Sequence, residues 1–261
     1  MEQHFNTPAE VIDNNMKAGE GKAHLPLGKM ILLGIMAGAF IALGGATSST
    51  AAHAIDNVGL ARFVAGIIFP VGLMIIVFVG GELFTGNCLM VMALLERRIT
   101  PAQLLRNWLT VYLGNAMGGA AVAALAVYSH TASLFGDGLA RSMVSIAESK
   151  AALGSGDAFL RGVLCNFLVC LAVWMAAASK RAEGKVIALF FPILLFVLCG
   201  YEHCIANLYY LPAGAFAAAE YGMETTLTLA GCLKNLAAVT LGNLVGGAAL
   251  GVGYRFAYLK E

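Results

Sequence analysis

Two polar clusters interrupt long apolar runs with one shared spacing: Gly80-Gly81-Glu82-Leu83-Phe84-Thr85-Gly86-Asn87 and Gly200-Tyr201-Glu202-His203-Cys204-Ile205-Ala206-Asn207. Each puts a glutamate five positions before an asparagine, in sequence that is otherwise compatible with hydrocarbon. Ionisable groups at such depth are expensive and point to function. His203 can carry a proton, and the Thr85 hydroxyl can donate or accept, so the two could meet one small ion between them. A helix broken inside a membrane exposes backbone donors at the start of one half and acceptors at the end of the other, and the starts attract anions. Glu82, Asn87, Glu202 and Asn207 are read as structural groups at the breaks, where a carboxylate caps exposed donors or holds a neighbour. Asn166 is a further amide inside an apolar run, placed either to line a pathway or to pair with helix backbone.

The elements that must position these residues follow from composition. The 261-residue chain is 59% apolar and only 12% charged, against roughly 25% charged in an average soluble domain, so it reads as an all-α integral membrane protein whose first partner is the lipid bilayer. A net charge of +1 without a basic cluster excludes nucleic acid as a partner, since that affinity rests on many neutralised phosphates. The six cysteines lie in apolar runs without zinc-like spacing and read as small buried hydrophobes. No metal and no cofactor is expected. No cleavable signal is visible, so the first membrane helix itself directs insertion.

Residues 1–28 form a polar amino-terminal segment, and 29–261 a single transmembrane domain. Thr7-Pro8-Ala9-Glu10 is a capping box with proline at the first helical position; the helix it starts is either a gate or surface anchor, or a fixed lid. Helix 1 runs from Met30 to Ile55. The run from Arg62 to Glu96, at about 1.5 Å per residue, is too long for one span and too short for two, which fits a helix broken near Glu82. Helix 3 begins at Pro101, 141–157 is a long, weakly amphipathic connection, and helix 4 covers Ala158 to Ser179. A second overlong run, Val186 to Ala219, is divided by Glu202 and His203, and helix 6 runs from about Thr226 to Tyr254.

The motif Asn107…Gly114-Asn115-x-x-Gly-Gly-Ala120 recurs 128 residues later as Asn235…Gly242-Asn243-x-x-Gly-Gly-Ala248, while Glu82 and Glu202 stand 120 apart. The chain is thus six transmembrane helices in two three-helix repeats, approximately 29–130 and 157–256, with helices 2 and 5 broken. Three spans per half oblige the halves to lie in opposite orientation. Eleven of the 16 lysines and arginines, Lys260 among them, fall on the side holding both termini; that side is expected to be cytoplasmic, in the inner membrane of a cell.

The strings Gly81-Glu-Leu-Phe-Thr-Gly-Asn87, Asn107-Trp-Leu-x-x-Tyr-Leu-Gly-Asn115, Cys165-Asn-x-x-Val-Cys-Leu-Ala-x-Trp-Met175 and Gly200-Tyr-Glu-His-x-Ile-Ala-Asn207 strongly resemble the formate-nitrite transporter family, and the resemblance covers nearly the whole chain. It implies an aquaporin-like protomer in a homopentamer, each protomer with its own pore for a small monovalent anion. It implies that His203, Thr85 and Asn166 are the central polar residues, with Leu83, Phe84 and Val169 as hydrophobic lining there. Phe69, Leu73 and Phe196 match a cytoplasmic-side constriction, and Lys150 matches an outer-vestibule lysine that draws anions in. The implied activity is proton-linked permeation of formate, with nitrite or hydrosulfide as close alternatives, and no enzymatic reaction. An aquaporin-like neutral-solute channel is a competing class, although paired Asn-Pro-Ala motifs are absent; a membrane enzyme using Glu202 and His203 is another, although no His-Glu-x-x-His motif occurs.

Overall fold

The computed structural model describes residues 4–259; Lys260, counted above on the amino-terminal side, lies outside them. The chain forms α1 (Pro8–Ala23), α2 (Leu27–Ala52), α3 (Val58–Ile68), α4 (Val71–Val79), a 3-10 turn (Gly86–Met90), α5 (Val91–Leu95) and α6 (Pro101–Tyr128). A short turn leads into α7 (Gly138–Ala152), α8 (Ser155–Ala178), α9 (Ala182–Leu198), α10 (Cys204–Glu220) and α11 (Leu229–Tyr258). Among the described residues, β pairing is confined to one bridge between Phe5 and Ser179.

Local sequence explains the ends. Thr7 and Glu10 close a reciprocal capping box on α1, and Thr100 and Gln103 do the same on α6, each followed by proline in the first turn. Asn57 caps α3 and Thr228 caps α11 through side-chain oxygens. The stretches Leu27–Ala52, Val58–Val79, Pro101–Tyr128, Ser155–Ala178 and Leu229–Tyr258 are each long and apolar enough to cross a membrane. The sixth crossing is divided between α9 and α10, 17 residues each.

Segment 141–157, read from sequence as a connection, is instead largely the helix α7. Its buried face, Leu139, Ala140, Met143, Val144, Ala147 and Ala151, packs on α10 and α11, at the end where Glu148 accepts from Thr225 and Thr226. α1 lies across the opposite end, where Arg106 of α6 donates to the carbonyls of Ala23 and Leu25. Lys22 of α1 and Lys150 of α7 stand 128 positions apart, the offset of the asparagine motif. A lid helix, α1 or α7, thus precedes the three spans of each half.

Small residues let the paired spans touch backbone to backbone. A Cβ built at Gly34 would sit 3.2 Å from the Cα of Gly114, and one at Gly162 would sit 3.2 Å from the Cα of Gly242. α2 therefore packs on α6 as α8 packs on α11. The outer faces remain apolar: Leu109, Leu113, Met117 and Leu125 on α6 and Leu229, Leu233 and Leu241 on α11 are all more than half exposed. A surface of that kind needs lipid or another protomer against it.

Candidate functional site: the waist between two vestibules

The two breaks are built alike. Gly80 (φ +101°) ends α4 and Gly200 (φ +68°) ends α9, both in the left-handed region that glycine enters without steric cost. The unwound backbone then needs partners, because hydrocarbon offers none. Asn115 supplies three: its Oδ1 accepts the Phe84 N–H at 3.0 Å, and its Nδ2 donates to the carbonyls of Gly34 (2.7 Å) and Glu82 (2.8 Å). Asn243 does the same for the second break, with Cys204 N–H at 2.9 Å, Gly162 O at 2.8 Å and Glu202 O at 2.9 Å. The sequence flagged these asparagines only as a repeat; the duplicated amide inside a glycine-rich span was the signal for their role.

Each break is then locked to its lid. Glu82 accepts from Asn87 Nδ2 at 2.7 Å and from Lys22 Nζ at 2.7 Å, while Asn87 Nδ2 also donates to Asn107 Oδ1 at 2.8 Å. In the other half Glu202 accepts from Asn207 Nδ2 at 2.7 Å and from Lys150 Nζ at 2.9 Å, and Asn207 Nδ2 donates to Asn235 Oδ1 at 2.8 Å. Lys22 was missed from sequence, where it looked like one of several basic residues in a polar tail. Lys150, matched by resemblance to a vestibule lysine that draws anions in, has its ammonium paired with Glu202.

A vestibule of about 380 Å³ opens beneath α7, lined among others by Ser48, His53, Arg62, Lys150, Tyr201, Phe69 and Phe196. A second, of about 390 Å³, opens beneath α1, lined among others by Asn14, Lys22, Lys185, Leu73 and Leu83. Between them lies a chamber of about 10 Å³ enclosed by Ile41, Phe69, Leu73, Leu83, Val169, Ile193, Phe196 and His203, roughly the room for one water molecule. Phe69 and Phe196, matched above to the cytoplasmic side with Leu73, therefore face the α7 vestibule with their rings edge to face at 5.5 Å; only Leu73 lies toward α1. Three residues expected at the centre stand behind the wall: Thr85, Phe84 and Asn166. Phe84 packs into the rings of Trp108 and Tyr112 on α6, at 6.4 and 5.0 Å, and Asn166 is fully buried, donating to the carbonyls of Thr85 (3.2 Å) and Asn243 (2.7 Å).

Just behind the chamber wall, Thr85 Oγ1 lies 3.0 Å from Nε2 of the wall residue His203. His203 is also the N-cap of α10: its Nδ1 accepts the backbone N–H of Ala206 at 3.1 Å. A ring nitrogen that accepts from an amide carries no hydrogen, so the hydrogen of the neutral ring sits on Nε2 and points to Thr85. The Thr85 hydroxyl is then an acceptor there with its own hydrogen left to give. Phe196 stacks nearly parallel to the imidazole at 5.8 Å and fixes its plane.

Inverted repeats whose broken middle helices meet at a narrow waist between two polar vestibules define a multi-pass membrane channel or transporter protomer. Residues 9–257 match the model of the formate/nitrite transporter family, and the chain belongs to that family. It is 38% identical to a probable formate transporter of Methanothermobacter thermautotrophicus over 98% of both chains, and 36% identical to the formate channel FocA of Haemophilus influenzae over 96% of this chain and 94% of that one. Its fold superposes on an FNT family ion channel with TM-score 0.86 at 29% identity, covering 95% of this chain and 99% of the other. It superposes on a pentameric formate channel with formate bound with TM-score 0.79 at 31% identity, covering 90% and 98%. These relatives are transport proteins, which removes the membrane-enzyme reading.

Proposed function

We propose that this chain passes a small monovalent anion, formate first, through the waist in step with a proton. The observation that carries this reading is the His203–Thr85 pair, a polar couple 3.0 Å apart whose histidine is the one polar residue on the wall of a chamber otherwise lined by aliphatic and phenyl groups. A bare anion pays heavily to enter such a wall and the neutral acid pays far less, so passage favours an anion that is protonated or held by donors at the narrowest point. When an anion enters, the Nε2–H of His203 exchanges its Thr85 acceptor for the anion, and the Thr85 hydroxyl, released from that bond, is the second donor. Full transfer of the Nε2 hydrogen needs a proton to arrive on Nδ1, which the Ala206 N–H occupies. His203 therefore acts as hydrogen-bond donor to the passing anion, and the proton comes from vestibule water.

Formate leads because relatives bear that name; nitrite and hydrosulfide share its charge and small size. The pentameric relative and the exposed leucines on α6 and α11 support a homopentamer. The lysine and arginine bias supports cytoplasmic termini in an inner membrane. Uptake of each anion into proteoliposomes across a pH series tests the function: the expected result is formate flux well above empty vesicles that rises as external pH falls. Flux equal to empty vesicles for all three anions refutes the reading.

A further inference from the structure

Each vestibule is lined by two cations, and in each one of them is already neutralised. Lys150 is paired with Glu202 at 2.9 Å and Lys22 with Glu82 at 2.7 Å, and both carboxylates are further held by asparagines. The second cations, Arg62 beneath α7 and Lys185 beneath α1, form no ion pair among the described residues. With Arg62, Lys150 and Glu202 as the formal charges on its wall, the α7 vestibule carries a net +1 that resides on Arg62. In the same way the surplus charge beneath α1 is that of Lys185.

Placement fits these charges to a task. The guanidinium of Arg62 lies against the second break: a Cβ at Gly200 would come 3.0 Å from its Nη1, so glycine there provides the room as well as the turn. Arg62 stands seven residues before Phe69 on one continuous apolar stretch, about 10 Å of helix above the ring that closes the chamber. Lys185 stands eight residues before Ile193 in α9, about 12 Å from the other wall. The two cations thus occupy corresponding helices of the two repeats, one at each mouth. A charge in a concave, low-dielectric mouth focuses its field along the axis and raises the local concentration of counter-ions.

We infer that Arg62 and Lys185 are the anion-recruiting residues of the two mouths, whereas Lys150 and Lys22 lock the lids to the breaks. The inference rests on the anion-permeation reading above. It is tested by unidirectional formate uptake, at formate well below half-saturation, in membrane vesicles prepared in each orientation. Arg62→Gln slows uptake at least about threefold at about 10 mM salt when the α7 face is outward, and Lys185→Gln does so when the α1 face is outward. At about 0.5 M salt the differences shrink toward unity, because the screening length falls from about 30 Å to a few ångströms. The half-saturating concentration rises while the maximal rate holds, and Arg62→Lys stays near wild type. A loss that ignores salt or sidedness, a loss that Arg62→Lys shares, or no loss at all overturns the inference. Wild-type uptake no faster than empty vesicles overturns the permeation reading itself.

Discussion

Thr85 Oγ1 lies 3.0 Å from His203 Nε2, and the bond crosses the pseudo-two-fold axis between residues that have no polar counterpart. The offset of 120 that aligns the breaks sets Thr85 opposite Ile205 and His203 opposite Leu83. Symmetry therefore builds the backbone of the waist, and its local failure supplies the donors. Replacing His203 by its own counterpart, His203→Leu, removes a hydrogen bond to a charged permeant, worth about 1.5–3 kcal/mol, or about tenfold or more in rate. Anion uptake in proteoliposomes should fall by that factor while its pH profile keeps its shape, because the proton comes from vestibule water; Cys204→Ala leaves both near wild type. Wild-type uptake rates for both His203→Leu and Cys204→Ala would exclude His203 from the pathway.

The breaks were legible in the sequence because Glu82, Glu202 and His203 violate an otherwise apolar run, and hydrocarbon makes such violations costly. The inverted plan was legible because Asn115 and Asn243 must each rescue an unwound backbone, which forces the same residue at the same offset. What was not legible has equally specific causes. α7 hid because half of its buried stripe is alanine, Ala140, Ala147 and Ala151, which marks an apolar face weakly. An unwound segment also has no period, so nothing told that Leu83 faces the chamber while Phe84, the next residue, turns into α6. Lys22 matched Lys150 at a single position, which chance alone can produce, and only their pairing with the two glutamates gives the match meaning.

Gly118 and Gly246 are the closest approach of the paired spans: a Cβ on the first would meet the Ile35 carbonyl oxygen and on the second the Val163 carbonyl oxygen. Backbone cannot yield there as a flexible side chain would, and overpacking of this kind costs about 1–3 kcal/mol or more. Gly118→Ala and Gly246→Ala should both lower the thermal unfolding midpoint in detergent and the yield of monodisperse protein. Gly253→Ala, with nothing within 4 Å of the added carbon, should not. A wild-type midpoint for either of the first two would show that the helices are not in backbone contact.

Glu148 ties α7 to the strand of chain entering α11. The Thr226 backbone N–H, and after it the Thr225 hydroxyl, hold its carboxyl below its ordinary value of 4.5. A carboxylate whose folded-state pKa is lowered binds protons less readily when folded, so its contribution is present above the unfolded value and disappears as pH falls through the folded one. Glu148→Gln should therefore reduce the unfolding midpoint slightly at pH 7, and the two proteins should converge as the pH drops below 4. A difference that persists unchanged in acid would assign the contact to shape rather than charge.

Lys150 and Glu202 separate locking from recruiting. Lys150→Gln leaves Glu202, only 6% exposed, with Asn207 as its remaining side-chain donor. Breaking a buried pair from one side costs about 3 kcal/mol. Lys22→Gln should cost less, since Lys22 is 29% exposed against 15% for Lys150 and water already screens the pair. In the double variant Lys150→Met/Glu202→Gln no buried charge is stranded, and the new amide oxygen still accepts from Asn207. Its thermal midpoint should return most of the way to wild type, and formate uptake from the α7 side should recover with it, because the recruiting charge on Arg62 is untouched. Recovered stability with uptake still depressed would instead make Lys150 itself a capture site.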